Sequence, residues 1–374
     1  MKVLVISHSY ISRVGREKWR ALVRSFDVDL KIIVPSVWKD YLFTIRYDEQ
    51  RDEELAIFPR KIFFSGKEAA HFYASPSFML GEFQPDILHV EEGTDAFSFY
   101  QALVAKKLFS RKTKSVFFTW MNLEKKLSFP FSFFERYNLS NSDAAIAGNS
   151  EAMEILRSKN FRKPITVMPL LGLDPELFYP NRNDALRSEL RVDGFVFGFV
   201  GRFVPEKGIL DLLAATARLK QECTLLLLGG GAQEAEIRNT LTELGIADRV
   251  RIVSAVPHSD VPRYLNCMDA LVLPSYTVPH WKEQFGQVLV QAMACEVPVI
   301  GSRHAEIPNV IGDAGLVFEE RSIEGLARSM EMLMTNDGLR NDLKRRGRQR
   351  VLEHFTNTAI AQRTYHVYQS LLSE

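Results

Sequence analysis

A chain of 374 residues exceeds what one ordinary hydrophobic core serves, so two domains are the first expectation. Apolar residues at 46% and charged residues at 25% match folded globular proteins and exclude a disordered or fibrous chain, while a net charge of +1 excludes a dedicated nucleic-acid binder. Cys223, Cys267 and Cys295 form no CxxC pair and read as buried free thiols in a reducing compartment. Met1 to Ser7 reads as a strand and lacks the features of a signal peptide, and no apolar run approaches the roughly 20 residues of a membrane span. The expected address is cytoplasmic, with contact at the inner face of the membrane left open.

In chain order, short β-branched or aromatic runs alternate with helical stretches: Val3 to Ser7, Leu30 to Val34, Ile87 to Val90, Ser115 to Thr119, Ala144 to Ala147 and Ile165 to Met168. This rhythm predicts parallel βαβ units. After a stretch rich in proline and charge, Pro169 to Asp193, a second series follows: Val196 to Gly201, Thr224 to Leu228, Val250 to Val253, Ala270 to Leu273, Pro298 to Gly301 and Leu316 to Phe318. Only helical patterns remain after that, over 322–334, 337–353 and 358–372. The expected fold class is α/β, with two Rossmann-like, doubly wound parallel-sheet domains facing across a cleft. Domain one is placed at 1–180 with the helix 357–374 packing back on it, domain two at 181–356, and the hinge near Phe178 to Asn183.

Ligands of open α/β sheets bind beyond the carboxyl ends of the strands, so the loops after the strands carry the chemistry. The first loop of domain two runs Gly201-Arg202-Phe203-Val204-Pro205-Glu206-Lys207-Gly208. A guanidinium fork and an ammonium point charge on one short loop suit a diphosphate, although a solvated surface loop carries the same residue types. A second loop, Glu283-Gln284-Phe285-Gly286, opens an apolar helix from Gln287 to Ala294. Amides of Gly286, Gln287, Val288 and Leu289 at that N-terminus favour an anion, and Glu283 suits sugar hydroxyls or, more plainly, a capping acceptor.

These two loops resemble the hallmarks of the retaining GT-B glycosyltransferases of family 4 (glycosyl transferases group 1), a G-R-x-x-x-x-K-G loop and an E-x-F-G-x-x-x-x-E-A-M-A helix. Gly229-Gly230-Gly231, Asp269 to Ser275 and Pro298 to Ser302 agree with the same family. The resemblance implies Arg202 and Lys207 on the donor diphosphate, Glu283 on the transferred sugar, and Gly201 with the backbone of Phe285, Gly286, Gln287, Val288 and Leu289 around sugar and phosphates. It also implies a nucleobase pocket at Ala255 and Val256. The donor is then a nucleotide sugar, the acceptor a saccharide or lipid-linked molecule, with no cofactor beyond the donor. Two positions depart from the family: Gln291 stands where a ribose-binding glutamate is expected, and Glu296 where glycine is usual.

The first half departs further. The segment His8 to Gly15 offers only Gly15 where relatives carry a glycine pair, and Trp120-Met121-Asn122 falls where relatives often carry a histidine. Trp120 and Asn122 are candidate acceptor contacts, with ordinary packing as the plainer reading. Glu91, Glu92 and Asp95 follow a strand and are read as facing the cleft, with Glu91 a candidate for acceptor hydroxyls. Lys125, Lys126, Phe129, Phe131, Phe133 and Phe134 mix charge and aromatics, as either a peripheral membrane contact or a core helix behind a basic loop. The histidines show neither HExxH nor CxxC-type spacing, so no metal site is expected. Rival functions are a nucleotide-sugar epimerase of similar fold and a non-catalytic nucleotide-sugar binder. A dinucleotide oxidoreductase lacks its GxGxxG loop.

Overall fold

Alternate residues of the first strand, β1 (Lys2–Ser7), enter two different cores: Val3 and Val5 one, Leu4 and Ile6 the other. Burial on both faces is what a parallel sheet flanked by helices requires, and it explains the unbroken apolar run. The computed structural model describes residues 1–13, 15–39, 44–75 and 77–373. Val14, in the predicted loop before Gly15, and Glu374, at the end of the predicted last helix, lie outside the described residues.

The chain divides into two units, Met1–Gly172 with Asn357–Glu374, and Leu173–Thr356. Unit 1 holds a seven-stranded sheet built from β1, β2 (Asp29–Pro35), β3 (Ala56–Arg60), β4 (Ile87–Glu91), β5 (Lys114–Thr119), β6 (Ala144–Ala147) and β7 (Ile165–Val167), ordered β7-β6-β5-β4-β1-β2-β3. All its pairings are parallel. The edge strand β3 went unpredicted because Pro59 interrupts its apolar pattern; a residue with no N–H is tolerated at a sheet edge. Two small hairpins, Val37–Lys39 with Thr44–Arg46 and Ile62–Phe63 with Phe72–Tyr73, were likewise too short to show as periodicity. Helix α1 (Glu17–Ser25) and the C-terminal helix Asn357–Ser373 cover one face, where Phe26 and Tyr365 stack with centroids 4.0 Å apart.

Unit 2 holds β8 (Phe195–Arg202), β9 (Cys223–Gly230), β10 (Val250–Val253), β11 (Ala270–Leu273), β12 (Val299–Ser302) and β13 (Gly315–Phe318), ordered β10-β9-β8-β11-β12-β13 and parallel throughout. Strand order reverses beside β8, between β9 and β11, so the loops after β8 and β11 flank a switch point. The division falls at Gly172, ahead of the hinge read from the sequence at Phe178 to Asn183. That stretch is packed rather than free: Phe178 is fully enclosed in the core of unit 2, and Asn266 holds the backbone of Tyr179 and Asn181 with its side-chain amide. The three cysteines are buried and unpaired by disulfides, with Cys267 pushed up to about 11 and Cys295 to about 12 by burial.

Candidate functional site

In unit 2, β8 ends on Arg202, whose side chain is exposed, and the chain turns through Pro205–Lys207 to Gly208. Gly208 has φ +70 and lies so close to the Pro274 carbonyl that an added Cβ would approach its oxygen to 2.1 Å, so only glycine lets this loop lie against the end of β11. Helix α2 (Ile209–Arg218) starts directly after it. This close approach carries Lys207 toward the second loop. Its Nζ sits 2.5 Å from Oε2 of Glu283 and 4.7 Å from the Trp281 ring centroid, with both charged side chains mostly buried. Ser275 Oγ donates to the same carboxylate oxygen at 3.3 Å.

Sequence reading missed the residue that fixes this carboxylate's backbone. The Glu283 N–H donates to Nε2 of buried His304 at 3.0 Å, so the ring proton belongs on Nδ1, which faces Thr277 Oγ1 at 3.1 Å. His304 follows Ser302 at the end of β12, a strand-end position that could have drawn attention to it.

The second loop closes on Gly286, with φ +80, as N-cap of α3 (Gln287–Ala294). The apolar face of this helix, from Leu289 to Met293, is buried, which fixes the direction of its N-terminus. One expected donor is withdrawn: Leu289 is fully buried and its N–H bonds the Gly286 carbonyl at 2.9 Å, leaving the amides of Gly286, Gln287 and Val288 as the candidates. Phe285 packs against Phe355, with ring centroids 5.6 Å apart. Gln291, the fifth residue of this helix, is buried, and its amide lies 3.0 Å from His258 Nε2. Ala255 is exposed and Val256 half-buried on the loop after β10. The structure therefore brings Lys207, Glu283 and the α3 N-terminus together, with Gly201 and Arg202 at the end of the adjoining β8.

Residues 182–350 match the sequence model of the family described as glycosyl transferases group 1. The matched stretch lies within unit 2 and makes up less than half of the chain. The chain is 29% identical over 202 residues to the capsular polysaccharide biosynthesis glycosyltransferase CapM of Staphylococcus aureus, covering 52% of this chain and 51% of that protein. It is 32% identical over 179 residues to N-acetyl-alpha-D-glucosaminyl L-malate synthase of Bacillus anthracis, covering 47% and 45%. The chain thus aligns with about half the length of these relatives. Among solved structures it superposes on HepE of Anabaena in complex with UDP with TM-score 0.76 at 18% identity, over 99% and 100% of the two chains. Sucrose-phosphate synthase of Thermosynechococcus elongatus gives TM-score 0.70 at 20% identity, over 100% and 99%. These likenesses show the GT-B fold, with two α/β units each built on a parallel sheet.

The stretch matched by the family model, residues 182–350, contains every donor residue read from the sequence. The acceptor candidates fall in unit 1, and one reading there is corrected. Glu91 ends β4 rather than following it, and it is buried in an ion pair with Lys18 Nζ at 2.7 Å, so its carboxylate does not face outward from a loop. Trp120 follows β5 and lies over Gly148, where a Cβ would approach its ring to 2.1 Å; its ring packs against the core shared by β1 and β5. Asn122 is buried, and Gly15 packs against Leu171. Phe129, just ahead of the helix Phe131–Asn141, is 82% exposed and Phe133 in its first turn is 47% exposed, so these two do not form the face of a core helix. Among the described residues no helix is long and apolar enough to cross a membrane.

Unit 1 also holds a cluster that spacing did not disclose: His8, His71 and Glu92. His8 Nδ1 is 2.5 Å and His71 Nε2 3.6 Å from the Glu92 carboxylate. Burial would raise the Glu92 carboxyl, but the two imidazoles outweigh it and hold it down at about 2. Burial would lower His8, but Glu92 together with Glu68 and Glu91 outweighs it, and the net shift is upward.

Proposed function

We propose that this protein is a glycosyltransferase that moves a hexose-type sugar from a nucleotide-diphosphate donor to a saccharide or lipid-linked acceptor, with retention at the anomeric carbon and no divalent ion on the diphosphate. One observation carries the reading: Lys207 and Glu283, from two separate strand-end loops, meet at 2.5 Å beside the N-terminus of α3. An ion pair in that position is poised for exchange. An incoming diphosphate takes over Lys207, with exposed Arg202 adding its planar fork, and Glu283 is released to accept hydrogen bonds from sugar hydroxyls.

The charge that builds on the departing diphosphate is then met by two cations and by the open amides of Gly286, Gln287 and Val288, a preorganised field that needs no metal. On the retaining route, attack and departure occur on one face of the sugar, and a leaving phosphate oxygen accepts the acceptor's proton. Polysaccharide or glycolipid assembly fits the names of the relatives, and a complex of HepE with UDP-glucose supports a nucleotide-sugar donor. Trp120 and Asn122 of unit 1 are the proposed acceptor contacts.

A second reading rests on Gln291. It stands where an acid is expected and is engaged with His258, which fits a protein that binds a nucleotide sugar without transferring it. Thermal unfolding with a panel of UDP-, GDP- and ADP-sugars, in the presence of a chelator, tests donor binding, since a native-state ligand raises apparent stability. At least one donor is expected to raise the midpoint, and Lys207→Ala to lower kcat/KM by about 100-fold or more. If no nucleotide sugar stabilises the protein, or Lys207→Ala leaves both kinetic parameters unchanged, the assignment is wrong. Donor binding with neither hydrolysis nor transfer above background selects the second reading.

A further inference from the structure

The register of unit 1 pairs Ser7 of β1 with Glu91 of β4, so the residues that follow, His8 and Glu92, emerge side by side at the carboxyl end of the sheet. His71 reaches the same point from the start of the strand Phe72–Tyr73, which is tied to the helix Phe97–Phe109 through two bonds between Tyr73 and Gln101. Trp38 stacks on His8 at 4.6 Å and meets the His71 ring edge-on at 5.1 Å, which fixes both imidazole planes.

The hydrogen bonding of His71 decides what the cluster is suited to. Its Nδ1 lies 2.9 Å from the Glu68 carbonyl oxygen, which can only accept, so Nδ1 carries a proton. Its Nε2 is fully buried, has no hydrogen-bond partner, and points at the Glu92 carboxylate across 3.6 Å. A buried ring nitrogen and a carboxylate oxygen that face each other without a hydrogen bond are placed to hold one cation between them. The arrangement of a ligating nitrogen with its other N–H given to a backbone carbonyl is the usual support of a metal-bound histidine. Glu92 is oriented in the same way, because the His8 N–H donates to its Oε1 at 3.0 Å.

We propose that His8 Nδ1, His71 Nε2 and Glu92 form a binding site for one borderline divalent cation of the zinc class, with water on the partly exposed His8 side. Two imidazoles and one carboxylate are the ligand types that select zinc, cobalt or nickel over magnesium or calcium. The three ligand atoms already lie within 4.8 Å of one another. Ligands about 2.0–2.1 Å from a zinc ion are about 3.3 Å apart; with Oε2 of Glu92 facing His8 at 2.5 Å and Oε1 facing His71 at 3.6 Å, the first contact opens and the second closes, each by less than about 1 Å, as the carboxylate takes up the ion. The site lies wholly in unit 1, and it is independent of the metal-free diphosphate chemistry proposed for unit 2.

The test is calorimetric titration of zinc chloride into the full-length protein after treatment with a chelator and dialysis. One ion per chain is expected, with affinity reduced at least about 100-fold in His71→Ala and in Glu92→Gln. The double variant His354→Ala/His366→Ala, at two exposed histidines, controls for surface binding and is expected to titrate like the wild type. Because His71→Ala removes a buried ring, a measurement on the unaltered protein stands beside it: proton NMR of the cobalt(II) form. Two hyperfine-shifted imidazole N–H signals are expected, one exchanging slowly (His71 Nδ1–H, bonded to Glu68) and one faster (His8 Nε2–H). No stoichiometric zinc binding, no shifted imidazole signals, or an unchanged titration in folded His71→Ala would each overturn the proposal and leave the trio as a buried ion-pair cluster.

Discussion

At Glu296 the residue that departs from the family pattern meets the backbone that explains the pattern. It follows Cys295, the C-cap of α3, and its φ of +55 is left-handed, the conformation that commonly ends a helix on glycine. For an L residue with a side chain, that conformation costs on the order of 1–2 kcal/mol. Glycine relieves the strain but leaves a more flexible unfolded chain, which returns part of the gain. Glu296→Gly is therefore expected to stabilise unit 2 by about 1 kcal/mol, read as a higher midpoint in urea. A lower midpoint would mean that the Glu296 side chain makes a contribution larger than the backbone strain. Gln291 is a different kind of departure, since its buried amide is already engaged by His258.

Elements were legible in proportion to how completely they are buried. The central strands β1, β4, β8, β9 and β11 are apolar on both faces and stood out as continuous runs, whereas β3 and the two hairpins are short, partly exposed or broken by Pro59. The Lys207 and Glu283 loops could be read because each keeps its motif within a few residues. The His8, His71 and Glu92 cluster could not, since only the pairing of β1 with β4 and the anchoring of Tyr73 bring those positions together. Asp143 shows one element being held by another. Its carboxylate accepts from Lys106 Nζ at 2.9 Å, and from the Ser115 N–H and hydroxyl at 2.7 and 2.8 Å, joining the helix Phe97–Phe109 and β5 to the start of β6. Burial would raise this carboxyl, but Lys106 and Ser115 outweigh it, so its value is lowered from 3.8. A lowered folded value means stability that is present above the unfolded value and lost as pH falls through the folded one. Asp143→Asn should destabilise unit 1 by about 1–3 kcal/mol at neutral pH, and the gap to the wild type should narrow as pH falls below about 4. Thermal unfolding across that range reads it, and a gap that stays constant with pH would show that the charge is not what matters.

On the scale of the whole molecule, the chain builds most of unit 1, then all of unit 2, and returns to finish unit 1 with the helix Asn357–Ser373. That helix places Ile360, Ala361, Tyr368 and Leu371 in buried positions, and the Tyr368 hydroxyl lies 2.5 Å from His89 Nδ1 of β4. Arg363 adds a bond to the Val167 carbonyl at 2.5 Å, at the far edge strand β7. Burial of a large apolar side chain contributes about 1.5–3 kcal/mol, so three of them amount to much of the roughly 5–15 kcal/mol by which a domain is stable. The core cluster of unit 2 is drawn from residues between Leu173 and Phe355. A chain ending at Thr356 is therefore expected to lose the stability of unit 1 selectively. Limited proteolysis should cut within residues 1–172 while a fragment containing 182–350 persists, and that fragment should keep any stabilisation by nucleotide sugar. Equal resistance of the truncated and full chains would show that the closing helix is dispensable to the first sheet, and loss of both units together would show that they unfold as one.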